Sequence, residues 1–202
     1  MIKTDYITVY PPAYSGHIWH ISPEGSDELG GNGSLEYPFA TIQHGISVAE
    51  NGDTVMVHQG TYPENINYSG KNITVASLFL TTQDTTYISQ TIVDGDSSGS
   101  VVTFENGEDS TAILTGFTIT NGQGGGSYPN NTGGGITCVN SSTPSLLNVT
   151  ITGNSATDKG GGIYCYNSDP SLIDVMITGN TAAFFGGGIY CEQSSPSLEN
   201  VT

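Results

Sequence analysis

Basic residues are nearly absent from this sequence. Its 202 residues include three lysines and no arginine against 19 acidic residues, so the formal net charge is −16. Nucleic acids and anionic membrane surfaces are bound by clustered lysine and arginine, which replace the counterions of phosphate groups. We therefore expect no nucleic-acid partner, whereas cations and neutral glycans are compatible with this charge.

Long apolar runs and the features of a signal peptide are also missing. No run approaches the roughly 20 apolar residues that a transmembrane helix needs, so we expect no membrane insertion. Residues 1–16, MIKTDYITVYPPAYSG, lack the charged start and apolar middle of a signal peptide, and we expect an extended leader there. The cysteines are odd in number and lie one repeat apart, which does not resemble a disulfide framework. They are Cys138, Cys165 and Cys191.

Glycine is the most conspicuous residue that is present, with 28 copies, while only 11% of the residues are charged. Asparagine, serine and threonine fill much of the remainder. This composition favours short strands separated by many turns over amphipathic helices. It predicts an all-β protein.

The last third of the chain repeats itself. Three segments begin GGGITC, GGGIYC and GGGIYC, and their triple glycines start at Gly133, Gly160 and Gly186. Each segment has short runs with alternating apolar residues, such as GIYCY and SLIDVMIT, and no helix fits between them. Repeats of roughly 20 to 50 residues indicate stacked supersecondary units. We predict regular coils of 26 or 27 residues over residues 133–202.

Alternation within each run predicts which side chains face the core. Ile163 and Cys165 lie on one side of a strand, whereas Tyr164 and Tyr166 lie on the other. We predict that the first side faces inward, with a corner near Asp174, and that equivalent residues of successive coils stack about 4.8 Å apart. The predicted files are the isoleucines Ile136, Ile163 and Ile189, the three cysteines, and the corner residues Asn148, Asp174 and Asn200.

The same pattern continues upstream with insertions, and we predict about six or seven coils in a β-helix domain over residues 17–202. Residues 38–51, PFATIQHGISVAEN, have apolar residues at helical spacing and predict a capping helix over the first coil. The chain stops within a repeat, so we expect a fragment of a longer solenoid. An open C-terminal coil would offer unpaired strand edges for end-to-end self-association.

These segments resemble a known superfamily. The stretch IWHISPEGSDELGGNGSLEYPFATIQHGISVAENGDTVMVHQGTYPENI is similar to the N-terminal cap and first coil of bacterial pectin-lyase-like β-helix proteins. The GGGIYC repeats also resemble those of polymorphic outer-membrane adhesins and of large secreted bacterial proteins. The resemblance implies a right-handed, single-stranded parallel β-helix that is secreted or displayed at the cell surface. It leaves the activity open, because the superfamily includes lyases, glycoside hydrolases and adhesins.

Three tyrosines on the outer side of the repeats are the candidate glycan-binding residues. We expect Tyr164 to stack above Tyr190, with Tyr166 two residues along, as a small aromatic platform. Aromatic faces cover the C–H groups of sugars while polar neighbours bind the hydroxyl groups. The alternative role of these rings is cross-strand stacking that stabilises the fold.

Two acidic residues are the candidate metal ligands. Asp94 and Asp96, in IVDGDSSGS, offer clustered oxygens, which Ca²⁺ prefers. The acidic residues 105–109 are a second place for calcium. The alternative is that Asp94 and Gly95 form a tight corner between strands. We expect no other cofactor.

No complete catalytic site is evident in the sequence. Lyases of the superfamily typically use an arginine or lysine as base beside calcium-binding acids, and here no lysine lies in an acidic cluster. Glycoside hydrolases use two carboxylates about 5 to 10 Å apart, for which Asp94 and Asp96 are the best local pair. We therefore predict a non-catalytic extracellular or cell-surface domain for adhesion or glycan binding. The alternative is a polysaccharide lyase or glycoside hydrolase fragment with an incomplete active site.

Overall fold

The computed structural model describes residues 10–125 and 132–202, and it is an all-β parallel β-helix, as the sequence predicts. Part of the predicted leader, residues 1–9, lies outside the described residues. Before the gap the strands are β1 (Ile18–Ile21), β2 (Thr54–Val57), β3 (Gly60–Pro63), β4 (Ile66–Asn67), β5 (Thr74–Ser77), β6 (Thr91–Asp94), β7 (Val102–Phe104), β8 (Ile113–Thr115), β9 (Thr118–Thr120) and β10 (Gln123–Gly124). After it they are β11 (Ile136–Val139), β12 (Ser145–Leu147), β13 (Thr150–Thr152), β14 (Ser155–Ala156), β15 (Ile163–Tyr166), β16 (Ser171–Ile173), β17 (Met176–Thr178), β18 (Thr181–Ala182), β19 (Ile189–Glu192) and β20 (Ser197–Glu199).

The strands form four parallel sheets that run along the solenoid. Sheet A has seven strands in the order β1-β2-β5-β8-β12-β16-β20, which corresponds to seven coils. Sheet B is β17-β13-β9-β6-β3, sheet C is β19-β15-β11-β7-β4, and sheet D is β10-β14-β18. A regular coil passes through sheets A, B, D and C in turn, as β12 to β15 do.

The predicted stacking of both files is confirmed, and the inward position holds except at Cys191, which is exposed in the last described coil. Ile163 pairs in register with Ile136 on one side and Ile189 on the other, and Cys165 likewise pairs with Cys138 and Cys191. Ile136 and Ile163 are 0% exposed within one continuous apolar core. All three cysteines are free thiols.

The predicted corner ladder is confirmed as well. Asn148, Asp174 and Asn200 have left-handed backbones, with φ of 52°, 56° and 53°. The side-chain amide of Asn200 donates a hydrogen bond to Asp174 Oδ1 at 3.1 Å. Asparagine and aspartate adopt this conformation more readily than other residues with a Cβ, which explains their recurrence at this corner.

The triple glycines let neighbouring coils approach closely. Gly160 has a φ of +67°, which only glycine adopts without strain. A Cβ on Gly161 would lie 2.2 Å from the backbone oxygen of Thr181 in the next coil. Backbone hydrogen bonds join the glycine segments, such as that from Gly161 N to Gly186 O at 3.0 Å.

The capping helix is present but shorter than predicted. Helix α1 spans Ile42–Val48, inside the predicted residues 38–51, and Ile42 and Ile46 are both 0% exposed. Thr41 caps its N-terminus by accepting a hydrogen bond from His44 N at 3.2 Å. The backbone is already extended at Ala49, because the next residues turn into β2.

Two short helices were not predicted. Helices α2 (Phe79–Thr82) and α3 (Thr86–Gln90) lie between β5 and β6, where the chain leaves sheet A before it joins sheet B. In the described part of the chain, no helix has the length and apolar character required to span a membrane.

Candidate functional site

The outer face of sheet C carries two rows of side chains that point away from the core. They follow from the strand register, because the residues between them, such as Phe104 and Cys165, are buried inside. The first row is Asn67, Thr103, Thr137, Tyr164 and Tyr190. The second row is Val139, Tyr166 and Glu192. Glu105 continues this row, because Phe104 pairs with Cys138 and the next residues along the two segments are Glu105 and Val139.

A groove of about 450 Å³ lies over the N-terminal part of these rows. Its floor comes from the two rows on β4, β7, β11 and β15, and one wall comes from the turn that precedes β7. The described residues that line it are Asn67, Gly99, Ser100, Thr103, Glu105, Thr132, Thr137, Val139, Asn140 and Tyr166. This lining combines amides and hydroxyl groups with one carboxylate, one aliphatic side chain and one aromatic ring.

Glu105 is the sole ionisable carboxylate among these lining residues. Asn67 Nδ2 donates a hydrogen bond to Glu105 Oε1 at 2.7 Å, and Asn140 Nδ2 donates one to the backbone oxygen of Glu105 at 3.0 Å. The bond from Asn67 orients the carboxylate in the groove, and the bond from Asn140 holds the backbone of Glu105. The sequence offered Glu105 only as part of an acidic loop, because its neighbour Asn67 is 38 residues away across irregular coils.

The predicted tyrosine stack is present, but it is not an open platform. The rings of Tyr164 and Tyr190 are parallel within 5° and their centroids lie 5.9 Å apart. Tyr164 is 0% exposed, whereas Tyr190 is half-buried. A ligand can therefore reach Tyr190 but not the ring of Tyr164.

Neighbouring backbone packs closely around Tyr164. The chain turns back at Gly160, which passes so close to the start of β15 that a Cβ there would lie 2.9 Å from Tyr164 Cα. Lys159, just before this turn, lies over the ring of Tyr190 at 4.7 Å and pairs with Glu192 at 3.3 Å. Burial raises the pKa of Tyr164 to about 12.

Tyr166 is the predicted tyrosine that the fold places in the groove. It is half-buried and lies in register beside Val139, which places it two coils beyond Glu105 in the second row. The structure thus separates the three predicted residues, with Tyr166 in the groove and the Tyr164–Tyr190 stack beyond its end.

The candidate metal ligands lie elsewhere, at the end of β6 in sheet B. Asp94 Oδ1 accepts hydrogen bonds from Asp96 N at 2.9 Å and from Asn121 Nδ2 at 2.8 Å. These bonds form the corner that was the alternative interpretation. Residues 10–125 and 132–202 contain no group of three or more histidine, cysteine or acidic side chains arranged to hold a metal.

Other acidic residues stabilise turns. Glu108 is 0% exposed and accepts hydrogen bonds from Gly70 N at 2.8 Å and from the Ser142 hydroxyl at 2.8 Å. Asp109, in the same acidic run, accepts hydrogen bonds from the Thr111 hydroxyl at 2.6 Å and from Thr111 N at 2.8 Å, and these two bonds lower the pKa of Asp109. Residues 105–109 therefore point to different places rather than toward one shared ion.

Comparisons with known proteins agree with the repeat architecture. The sequence model of the Chlamydia polymorphic membrane protein repeat matches residues 148–166 and 174–192, which contain β13–β15 and β17–β19. A Bacillus subtilis (strain 168) protein named uncharacterized protein YwoF is 27% identical over 109 residues. That match covers 54% of this chain and 18% of the Bacillus protein.

Proposed function

We propose that this chain is part of a cell-surface, adhesin-like β-helix that binds carbohydrate in the groove on sheet C. The observation that carries the proposal is the groove itself, in which Tyr166 and Val139 offer apolar surface beside the polar groups of Asn67, Thr103 and Asn140. Sugars present C–H faces and hydroxyl edges, and this mixture complements both. The matched repeat of a Chlamydia polymorphic membrane protein supports a surface location.

The alternative function, carbohydrate cleavage, has less support from the groove. Glycoside hydrolysis uses a pair of carboxylates, whereas the described lining contains Glu105 alone. A lyase would place its base inside the groove. Lys71 and Lys159, the lysines in the described residues, both lie outside it. The main proposal, a surface domain that binds carbohydrate, also includes membership of the pectin-lyase-like superfamily and export from the cell.

The experiment is a glycan-array screen followed by calorimetric titration of the best ligand. We expect Tyr166→Ala to weaken binding by about tenfold or more, because the ring face that covers the sugar is lost. Tyr37→Ala is the matched control, since Tyr37 is an exposed tyrosine that is not among the residues lining the groove, and it should bind as the wild type does. Equal affinities for the wild type and Tyr166→Ala would contradict the groove as the site.

A cleavage assay separates the two functions. Incubation with polygalacturonate and Ca²⁺ should produce no unsaturated uronates if the domain only binds. Calcium-dependent product formation would favour the enzyme alternative.

Calorimetric titration with Ca²⁺ tests the candidate metal ligands Asp94 and Asp96. If an Asp94→Asn variant binds Ca²⁺ as tightly as the wild type does, this pair is not the calcium site.

We also propose end-to-end association through the last coil. Strands β19 and β20 each have one strand neighbour in the described structure, and Leu198 on β20 is 53% exposed. Unpaired parallel edges with apolar side chains favour pairing with another strand. Sedimentation should show concentration-dependent dimers that Leu198→Lys disperses, and a monomer at all concentrations would contradict this proposal.

A further inference from the structure

We infer that the groove on sheet C selects carbohydrates that carry an amino group and disfavours uronic acids. This inference depends on the proposed carbohydrate-binding function and names the ligand class for the same groove. It comes from Glu105, whose carboxylate lies on the groove floor, and from the location of the described lysines.

One carboxylate oxygen of Glu105 is held by a hydrogen bond, and the other can accept one from a ligand. Asn67 Nδ2 donates to Oε1 at 2.7 Å, while Oε2 accepts no hydrogen bond from the residues that the structure describes. The side chain is half-buried, so a ligand bound to Oε2 would be partly shielded from water. An ammonium group is the donor that gains most from such a carboxylate, because a charge-assisted hydrogen bond is stronger than a neutral one.

The described lysines do not neutralise this carboxylate. Lys71 Nζ donates to three backbone oxygens at the end of α1, and Lys159 Nζ pairs with Glu192 at 3.3 Å. A uronate in the groove would therefore place its carboxylate near Glu105 with no cation from the lining between them. The net charge of −16 opposes polyanionic glycans over a longer range.

The second row also provides apolar surface for the ring of an amino sugar. Val139 and Tyr166 continue from Glu105 along the solenoid, about 4.8 Å apart for each coil. A sugar whose amine reaches Glu105 can lay its ring on these apolar surfaces.

The test compares three oligosaccharides of equal length by calorimetric titration with the full chain at about pH 6. They are a glucosamine oligomer, its N-acetylated form and an oligogalacturonate. We expect the glucosamine oligomer to bind about tenfold or more tighter than the N-acetylated form, and the oligogalacturonate to bind most weakly.

The variant Glu105→Gln should bring the affinities of the amino and N-acetylated oligomers together, because the amino oligomer loses its charge-assisted hydrogen bond. Glu199→Gln removes an exposed acid on sheet A and is the matched control for net charge, so it should retain the preference. Val139→Lys is a second variant that places a cation beside Glu105, and it should also abolish the preference. Circular dichroism confirms that each variant is folded.

The outcomes separate the inference from the proposed function. Binding of the N-acetylated oligomer without a preference for the amine overturns the inference but leaves carbohydrate binding intact. Equal loss of preference in Glu105→Gln and Glu199→Gln assigns the effect to overall charge and also overturns the inference. Failure of every glycan on the array and of all three oligomers overturns the proposed function itself.

Discussion

Tyr164 buries its hydroxyl group without a hydrogen-bond partner among the described residues. An unpaired buried hydroxyl costs about 1–3 kcal/mol, so Tyr164→Phe should leave stability unchanged or raise it by about 1 kcal/mol in urea unfolding. Tyr68→Phe is the matched control, because the Tyr68 hydroxyl donates to Ile113 O at 2.7 Å. That variant should lose about 1 kcal/mol. A loss in Tyr164→Phe as large as that in Tyr68→Phe would contradict the unpaired state of the hydroxyl.

His20 and His58 form a half-buried pair whose ring nitrogens, Nδ1 and Nε2, lie 3.2 Å apart. Burial lowers the pKa of both rings below the ordinary value of 6.5, and proximity to His58 lowers that of His20 further. The unfolded chain therefore takes up protons first as the pH falls. The folded state therefore has its full stability, as far as these two rings are concerned, above about pH 6.5. It loses stability as the pH falls from there toward the lowered pKa values of His20 and His58.

Thermal unfolding between about pH 7.5 and pH 5.5 measures this effect. We expect the wild-type melting temperature to fall over this range and the fall to be shallower in His58→Gln. His44→Gln, which leaves the pair intact, should keep the wild-type slope. Identical slopes for the wild type and His58→Gln would show that the pair does not govern this pH dependence.

At the scale of elements, helix α1 depends on charged groups at both of its ends. Glu64 accepts hydrogen bonds from Ile42 N at 2.8 Å and Gln43 N at 2.9 Å. Lys71 Nζ donates to the backbone oxygens of Ile46 at 2.7 Å and Ala49 at 2.8 Å. Each charge complements the nearby end of the helix dipole, so the caps compensate for the short length of the helix.

Lys71→Met should destabilise this helix. The three carbonyl groups that accept from Lys71 lose their shared donor, which we expect to cost about 1–2 kcal/mol. Hydrogen exchange of the α1 amides should accelerate, whereas exchange in sheet C should change less. Lys159→Met is the control at a lysine far from α1, and unchanged α1 exchange in both variants would contradict the role of Lys71.

The elements differ in how far the sequence predicts them. The coils after Gly133 are predictable because each repeats its neighbour, so one strand assignment transfers to the next. Helices α2 and α3 are not predictable because they have only four and five residues, which is too short for the apolar residues of segment 79–90 to show a helical period. The groove is not predictable for another reason. The contact between Glu105 and Asn67 can be foreseen only if the register between the irregular coils is known. Alternation within the strand predicts the correct face for Tyr164, but it does not describe how closely the backbone at Gly133 and Gly160 approaches this residue.

At the scale of the whole molecule, each coil buries its apolar residues against its neighbours. Ile163→Asp places a charge in the core and should lower stability by about 4 kcal/mol or more, which would unfold several coils together. Thr178→Asp adds the same charge at an exposed position in a neighbouring sheet and should unfold like the wild type. A melting temperature of Ile163→Asp close to that of the wild type would contradict cooperative stacking.

The central claim is that equivalent residues of successive coils lie directly above one another. Methyl NMR of isoleucine-labelled protein tests it most directly, because methyl groups about 4.8 Å apart give strong nuclear Overhauser effects and groups twice as far apart give weak ones. We predict strong effects from Ile163 to both Ile136 and Ile189, and weak or absent effects between Ile136 and Ile189. Absence of the Ile163 contacts, or a direct Ile136–Ile189 contact of equal strength, would contradict the stacked solenoid.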